Sequence, residues 1–320
     1  QNKNYLFVDG RYTIQARIES GKKFTILDYK KIINCKVFKN LKIGFDPKLF
    51  TSGQIKKIFS NNSPKSIKKN LINEVINLKK IKIKPFYSLD QKITGESHQK
   101  KIKRVIKYLN KNKLDYLFIT APENVAWLLN IRGYDSPTSP IPNSNLLLTK
   151  EKRIFLIVEK NKTTKLLSEK KLKQDQIVDP RYILNFFDKL KKGTILIDEK
   201  TCSLYLEKVI EKKFKIIKKE DPIYILKSIK NNIEIKNTVS AHIIDGVALT
   251  KFIYWIKNLK KLNITEVDAQ NKLEKIRRMN SKYLFPSFNT IAGSGKNGAI
   301  VHYRATKNNT KLLKKNEIFL

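Results

Sequence analysis

An α/β protein of more than one domain is the fold the sequence predicts, on three observations. At 320 residues and 41% hydrophobic content the chain holds more apolar material than one ordinary core needs. Strand and helix signals alternate from Ser97 onward, as they do in an α/β layer. Two proline-marked breaks, Lys84-Pro85-Phe86 and Asp221-Pro222, punctuate the run, because proline holds its predecessor extended. The expected divisions are 1–86, 87–218 and 219–320.

Tyr5-Leu-Phe-Val reads as a strand ending at the turn pair Asp9-Gly10, followed by a short amphipathic stretch. A helical stretch at Asp28–Lys39, a strand near Lys42–Phe45 and a Lys/Ile pattern up to Lys84 complete the first part. Ser97 is placed to N-cap a helix through Asn110, before an apolar strand at Asp115–Thr120. Pro122 suits the first turn of a helix through Leu129. The Pro/Ser-rich loop Gly133–Asn143 leads to strands Leu146–Thr149 and Ile154–Val158, joined by a tight Lys150–Lys152 turn. Asp179-Pro180 caps a helix reaching Leu190, Thr194–Asp198 is a strand, and Ser203–Lys213 is helical.

From Ile233 to Asn258 the chain is apolar at helical spacing, with Ile244, Ala248, Phe252, Trp255 and Leu259 on one stripe. The opposite face is mixed rather than cationic, which favours a core-packed helix over a membrane-surface one. Thr265-x-x-Asp268 is a capping-box start to a helix running to Met279. Phe288–Ala292 and Ala299–Tyr303 look like two strands joined by a glycine-rich turn, and Asn316–Leu320 like the opening of a further strand. With Gln1 standing where Met would, both ends are expected to be cut.

The formal charge of +39 raises nucleic-acid binding. Arg stands at only nine positions, however, and Lys is spread evenly beside Ile and Asn. That pattern describes a solvated coat rather than a recognition surface, so no nucleic-acid partner is expected. No stretch approaches the roughly 18 uninterrupted apolar residues of a membrane span, and the N-terminus has no signal-peptide build. Cys35 and Cys202 are far apart and form no CxxC pair. A soluble protein of the reducing cytoplasm, with no membrane partner, is the expectation.

Gly293-Ser-Gly295-Lys-Asn-Gly298 matches G-x-G-x-x-G, but it leads into β-branched, alternating residues instead of a helix, and no acid follows at the required distance. The glycines are expected to serve a tight turn whose backbone approaches something closely. Of the three histidines, His242 and Asp245 sit at i, i+3 on one helix, which reads as a surface pair rather than a metal half-site. On the predicted strand, Ile300 and His302 point one way while Val301 and Tyr303 point the other. His302 reads either as a half-buried histidine bonded to a carbonyl or as a substrate-binding group, and the residues alone leave both open. No carboxylate pair at metal spacing and no G-x-S-x-G occurs.

Five blocks resemble the Xaa-Pro aminopeptidases of peptidase family M24 in its long three-domain form, in the family's order. They are Phe7–Ala16, Glu123–Gly133, Asp221–Asn231, Ala241–Leu249 and Ser287–Tyr303. The resemblance implies two creatinase-N-like α/β domains, the first truncated, followed by the start of a pita-bread α+β peptidase domain. It implies hydrolysis of the bond between an N-terminal residue and a following proline, by a hydroxide held between two divalent ions, commonly Mn2+. It also implies peptides with proline at the second position as partners, and a homodimer. By position, His302 would contact the substrate near the scissile bond and Phe288 would help line the proline pocket, with an ordinary core aromatic as the competing reading of Phe288. The family's metal ligands, two Asp, one His and two Glu, fall beyond Leu320, so no metal ligand is expected within this chain and alone it is expected to be inactive and poorly stable outside its second domain. A prolidase-like dipeptidase and a non-catalytic pita-bread homologue acting as a binding module are the alternatives.

Overall fold

The computed structural model describes residues 4–32, 39–76 and 83–320. It divides into two compact units, one of Gln1–Phe38 with Lys236–Leu320 and one of Lys39–Ile235. The first unit opens on strand β1 (Tyr5–Val8), a 3-10 turn at Gly10–Tyr12, helix α1 (Thr13–Ser20) and strand β2 (Thr25–Asp28). β1 and β2 pair in parallel, Tyr5 opposite Thr25. The described part of the stretch expected to be helical at Asp28–Lys39 forms a 3-10 turn at Tyr29–Ile32, and residues 33–38 lie outside the described residues. The Asp28 carboxylate accepts the Lys30 N–H at 2.8 Å, a local bond that competes with the helical ladder.

The Lys39–Ile235 unit starts with β3 (Lys42–Phe45), α2 (Ser52–Ile58), β4 (Ser63–Ser66) and α3 (Leu71–Val75), and β3 and β4 run parallel. Next come β5 (Tyr87–Ser88), α4 (Gln91–Thr94), α5 (His98–Lys111), β6 (Tyr116–Ile119), α6 (Pro122–Leu129), β7 (Ile131–Arg132) and β8 (Asn145–Thr149). β9 (Ile154–Ile157), α7 (Thr164–Ser168), β10 (Ile177–Val178), α8 (Ile183–Lys189), β11 (Thr194–Ile197), α9 (Leu204–Glu211), β12 (Lys215–Lys218) and α10 (Ile223–Ser228) follow. Ser97 caps α5 by accepting from the Lys100 N–H, and Pro122 stands in the first turn of α6, both as predicted.

Six strands form one mixed sheet in the order β10-β9-β8-β6-β11-β12. β6, β11 and β12 are parallel, and β8 runs antiparallel to both of its neighbours. The two-residue period of the strands sorts their side chains into two cores. Leu117, Ile119, Leu146, Leu148 and Leu196 pack with Val105, Leu109 and Leu128 of α5 and α6. Tyr116, Phe118, Leu147, Phe155 and Ile197 pack with Phe187 of α8 and Ile210 of α9. Burial on both faces is why these strands read as near-continuous apolar runs.

The sequence blocks Glu123–Gly133 and Asp221–Asn231 meet in a buried polar network between α6 and α10. Asn124 donates to Asp221 at 2.8 Å and accepts from Lys227 at 2.6 Å, while Tyr224 donates to Glu123 at 2.8 Å. Burial, against the bonds from Ile223 and Asn124, pushes the Asp221 carboxyl up to about 6. At the other end of α6, Lys101 is 1% exposed and donates to the Trp127 carbonyl at 3.1 Å and to Asn130 Oδ1 at 2.7 Å, its ammonium 4.2 Å from the Trp127 ring. Burial pushes Lys101 down to about 8 from its ordinary 10.5. A depressed lysine means that the unfolded chain holds more protons between those values, so stability rises with pH across that window. We expect the wild type to gain on a Lys101→Met variant, in denaturant midpoint, as the pH goes from about 8 to about 10. A constant difference would rule out the buried ammonium as the cause.

In the first unit α11 (Asn232–Lys257) and α12 (Glu266–Arg277) carry the core, with Ala248 and Phe252 packed on Ala269, Leu273 and Ile276 and Trp255 partly buried against them. The predicted stripe is therefore the packed one. The rest of α11 is not covered: Val239 is 54% exposed and Ile243 63%. By length and composition α11 is long and apolar enough to cross a membrane, but Asp245 and Lys251 interrupt its apolar run, so it holds no stretch of 18 uninterrupted apolar residues.

Candidate functional site

Helix α12 starts in a capping box, Thr265 accepting from the Asp268 N–H at 3.1 Å and Asp268 accepting from the Thr265 N–H at 2.8 Å. Its first residue, Glu266, is fully buried. The carboxylate accepts from Ser294 N at 2.7 Å, Asn297 Nδ2 at 3.0 Å, Tyr303 Oη at 2.9 Å and Lys311 N at 3.0 Å. Desolvation pushes this acid up, but the four donors outweigh it and hold Glu266 below the usual carboxylate range. The same burial and the carboxylate beside it push the Tyr303 phenol up to about 12.

The two strands expected at Phe288–Ala292 and Ala299–Tyr303 do not form. Donors for one buried acid come from Ser294, Asn297 and Tyr303, so the segment coils around Glu266 into a 3-10 turn at Gly295–Ala299. Its β-type pairing goes to the chain's last residues instead. Gly293 and Leu320 exchange two backbone bonds, Gly295 N donates to Ile318 O at 2.9 Å, and Ser294 bridges Phe319 antiparallel. The stretch Asn316–Leu320, which the sequence leaves without a following partner, finds an earlier one. Gly295 has φ +54°, and a Cβ on Gly293 would meet the Gly298 nitrogen at 2.9 Å, so the close backbone approach expected of these glycines is present.

His302 follows this turn, exposed, with φ +58° instead of an extended backbone. The expected strand alternation therefore fails: Tyr303 N bonds back to Ile300 O, Tyr303 is buried and Val301 is exposed. The His302 Nδ1 lies 2.7 Å from the Tyr12 hydroxyl, with the two rings 5.8 Å apart. The Phe288 ring stands 5.4 Å from the His302 ring. Phe288 is 52% exposed, so it does not pack as a core aromatic. It lines a cleft of 390 Å³ with Phe285, Pro286, Ile291 and the Asp245–Arg277 ion pair. That pair is forked, at 2.6 and 3.0 Å.

The structure thus brings Phe288 and His302 together, and adds Tyr12 and Glu266, which the sequence did not single out. Glu266 hides behind the stronger capping signal of Thr265 and Asp268. The other histidines stand elsewhere. His242 Nδ1 is 2.9 Å from the Thr238 carbonyl while Asp245 turns to Arg277, so the i, i+3 pair does not meet. Burial, then Lys171 and Lys101, push His98 down to about 4. Cys202 is buried and its thiol pushed up to about 12, which removes it as a nucleophile. Among the described residues no group of three or more His, Cys, Asp or Glu side chains stands where it could hold a metal ion.

Comparison with known proteins bears on both halves. Residues 77–234 match the Creatinase/Prolidase N-terminal domain and residues 236–320 match metallopeptidase family M24. A probable Xaa-Pro aminopeptidase P of Laccaria bicolor is 27% identical over 344 residues, covering 100% of this chain and 53% of that protein. The Xaa-Pro aminopeptidase ApepP of Drosophila melanogaster is 29% identical over 341 residues, covering 98% of this chain and 55% of its own length. The crystal structure of an X-prolyl aminopeptidase from Caenorhabditis elegans, described as a cytosolic enzyme with a di-nuclear active site, aligns with a TM-score of 0.86. That alignment covers 100% of this chain and 56% of the other at 23% identity, and it shows a shared fold. The chain spans about half the length of the curated relatives it matches.

Proposed function

The chain belongs to metallopeptidase family M24, behind a creatinase/prolidase N-terminal domain, and from that premise we propose that it forms the front part of a Xaa-Pro aminopeptidase. The observation that carries this reading is the likeness to Xaa-Pro aminopeptidases along the whole chain, through both units. In this reading 1–86 belongs to a first creatinase-like domain, 87–218 is a second and 219–320 opens the peptidase domain. The protein acts in the cytoplasm as a homodimer on peptides with proline at the second position. The exposed apolar face of α11 is surface that a larger peptidase domain would cover.

Two divalent ions, Mn2+ in this proposal, supply the nucleophilic hydroxide when bound, on ligands outside the described residues. What this chain supplies is the approach to the reacting bond. His302, exposed and backed by two aromatic rings, contacts the substrate near the scissile bond. Phe288 offers an exposed apolar face to the proline ring at the edge of the cleft.

The test is the natural protein containing this chain, assayed for release of the first residue from Xaa-Pro peptides, after chelation and with Mn2+ restored. We expect cleavage of tripeptides and longer substrates that depends on Mn2+ and on proline at the second position. His302→Ala is expected to lower kcat/KM roughly 100-fold, about 2.7 kcal/mol of transition-state stabilisation. Cleavage of dipeptides alone would make it a prolidase, and no cleavage with any divalent ion would leave a non-catalytic binding homologue.

A further inference from the structure

We propose that Tyr12 is a positioning residue for His302, fixing its ring and its tautomer, an inference that rests on the aminopeptidase reading above. Neither residue belongs to the buried core: His302 is exposed and Tyr12 only partly covered. Both are nevertheless held from behind. Tyr12 sits in the 3-10 turn that Asp9 caps, where Asp9 accepts the Arg11 N–H at 3.0 Å, grips the Arg11 side chain at 2.9 Å and accepts the Tyr12 N–H on its carbonyl at 2.9 Å. His302 sits in a left-handed conformation that side chains rarely adopt, and its neighbour Tyr303 is locked to the buried Glu266. Two segments separated by 290 positions are therefore each fixed so that the Tyr12 hydroxyl meets Nδ1 at 2.7 Å.

The chemistry gives that contact a direction. A phenol is a good donor and an unprotonated imidazole nitrogen a good acceptor, so the O–H of Tyr12 donates to Nδ1 and the ring hydrogen resides on Nε2. A histidine held this way presents one defined N–H donor to whatever it faces. The orienting group behind a functional imidazole commonly sets which nitrogen carries the proton. Phe288, 5.4 Å away, limits the ring's tilt on another side. The sequence block Asp9-Gly10-Arg11-Tyr12 thereby acquires a role: Asp9 and Arg11 build the turn, and Tyr12 is what the turn presents.

Tyr12→Phe in the natural protein containing this chain is the test, because it keeps the ring and removes only the hydroxyl. Histidine-15N NMR, with the His302 signals assigned by their loss in His302→Gln, reads the tautomer directly. We expect a single Nε2–H tautomer in the wild type and a mixture in Tyr12→Phe. The kcat should fall roughly 10-fold while KM stays within about twofold and the thermal midpoint holds. Unchanged His302 signals would overturn the proposal whatever the activity, and so would altered signals with an unaltered kcat. If the wild type cleaves no Xaa-Pro peptide, the aminopeptidase reading falls and the positioning role falls with it, and that outcome is separated from the others by the unmodified protein.

Discussion

Glu266→Ala is expected to cost the unit built from α11 and α12 about 4 kcal/mol and to release the segment that carries His302. The carboxylate is fully buried and, among the described residues, makes no ion pair; its charge is met by backbone donors from Ser294 and Lys311 and by Asn297 and Tyr303. Truncation leaves those four donors buried together, and each orphaned donor costs about 1–3 kcal/mol before relaxation or entering water recovers part of it. Glu266→Gln keeps the shape but turns an amide N–H toward some of the same donors, and should cost about half as much. The acid also makes a pH prediction. A carboxylate held below its ordinary 4.5 stabilises fully above that value, and the contribution is lost as pH falls through the depressed one. The stability gap between wild type and Glu266→Gln should therefore close on acidification from about pH 5 toward pH 2. Denaturant unfolding of both proteins across that range checks it, and a gap that does not change with pH would mean that the acid is not the anchor.

What was legible in the sequence was what local physics decides. The sheet strands Asp115–Thr120 and Thr194–Asp198 announce themselves as short apolar runs because both faces are buried, and the structure places β6 and β11 inside those bounds. Ser97, Pro122 and the Thr265–Asp268 box mark helix starts because a capping side chain acts within three residues of itself. Such signals need no knowledge of the rest of the chain.

The candidate site was legible only in part, for the converse reason. Ile300, Val301 and Tyr303 have the composition of a strand, yet a single buried acid 37 positions before Tyr303 takes that residue's hydroxyl and bends the segment away from extended geometry. No periodicity reports such a contact. The pairing of Gly293 with Leu320 and of Tyr12 with His302 is likewise invisible to windows of a dozen residues. Resemblance supplied Phe288 and His302 one by one, but neither their contact nor the partners that hold them. Those partners lie on elements chosen by tertiary geometry, which is also why α11 keeps a packed stripe and a bare one under a pattern that is apolar all round.

Phe187→Ala should be the most damaging single truncation in the Lys39–Ile235 unit, lowering its stability by about 4 kcal/mol. Phe187 is 1% exposed and sits on the α8 side of the sheet, edge to face with Phe118 of β6 at 5.5 Å and with Phe214 at 6.0 Å, while Phe186 tilts against it at 5.5 Å. Its removal takes away the transfer free energy of a whole ring, several aromatic contacts worth about 1 kcal/mol each, and leaves a cavity. Collapse is hindered because Leu147, Ile195 and Ile197 around it are fixed in the central strands of a six-stranded sheet. Against a total of about 5–15 kcal/mol for a domain, the loss is enough to leave the unit partly unfolded near body temperature. Phe187→Leu refills most of the volume and should cost about 1–1.5 kcal/mol, so the ratio of the two variants separates cavity from chemistry. Equal losses in both would point to the ring contacts themselves. A loss under about 1 kcal/mol for the alanine would mean that α8 closes onto the sheet, contrary to the rigid packing inferred from these rings.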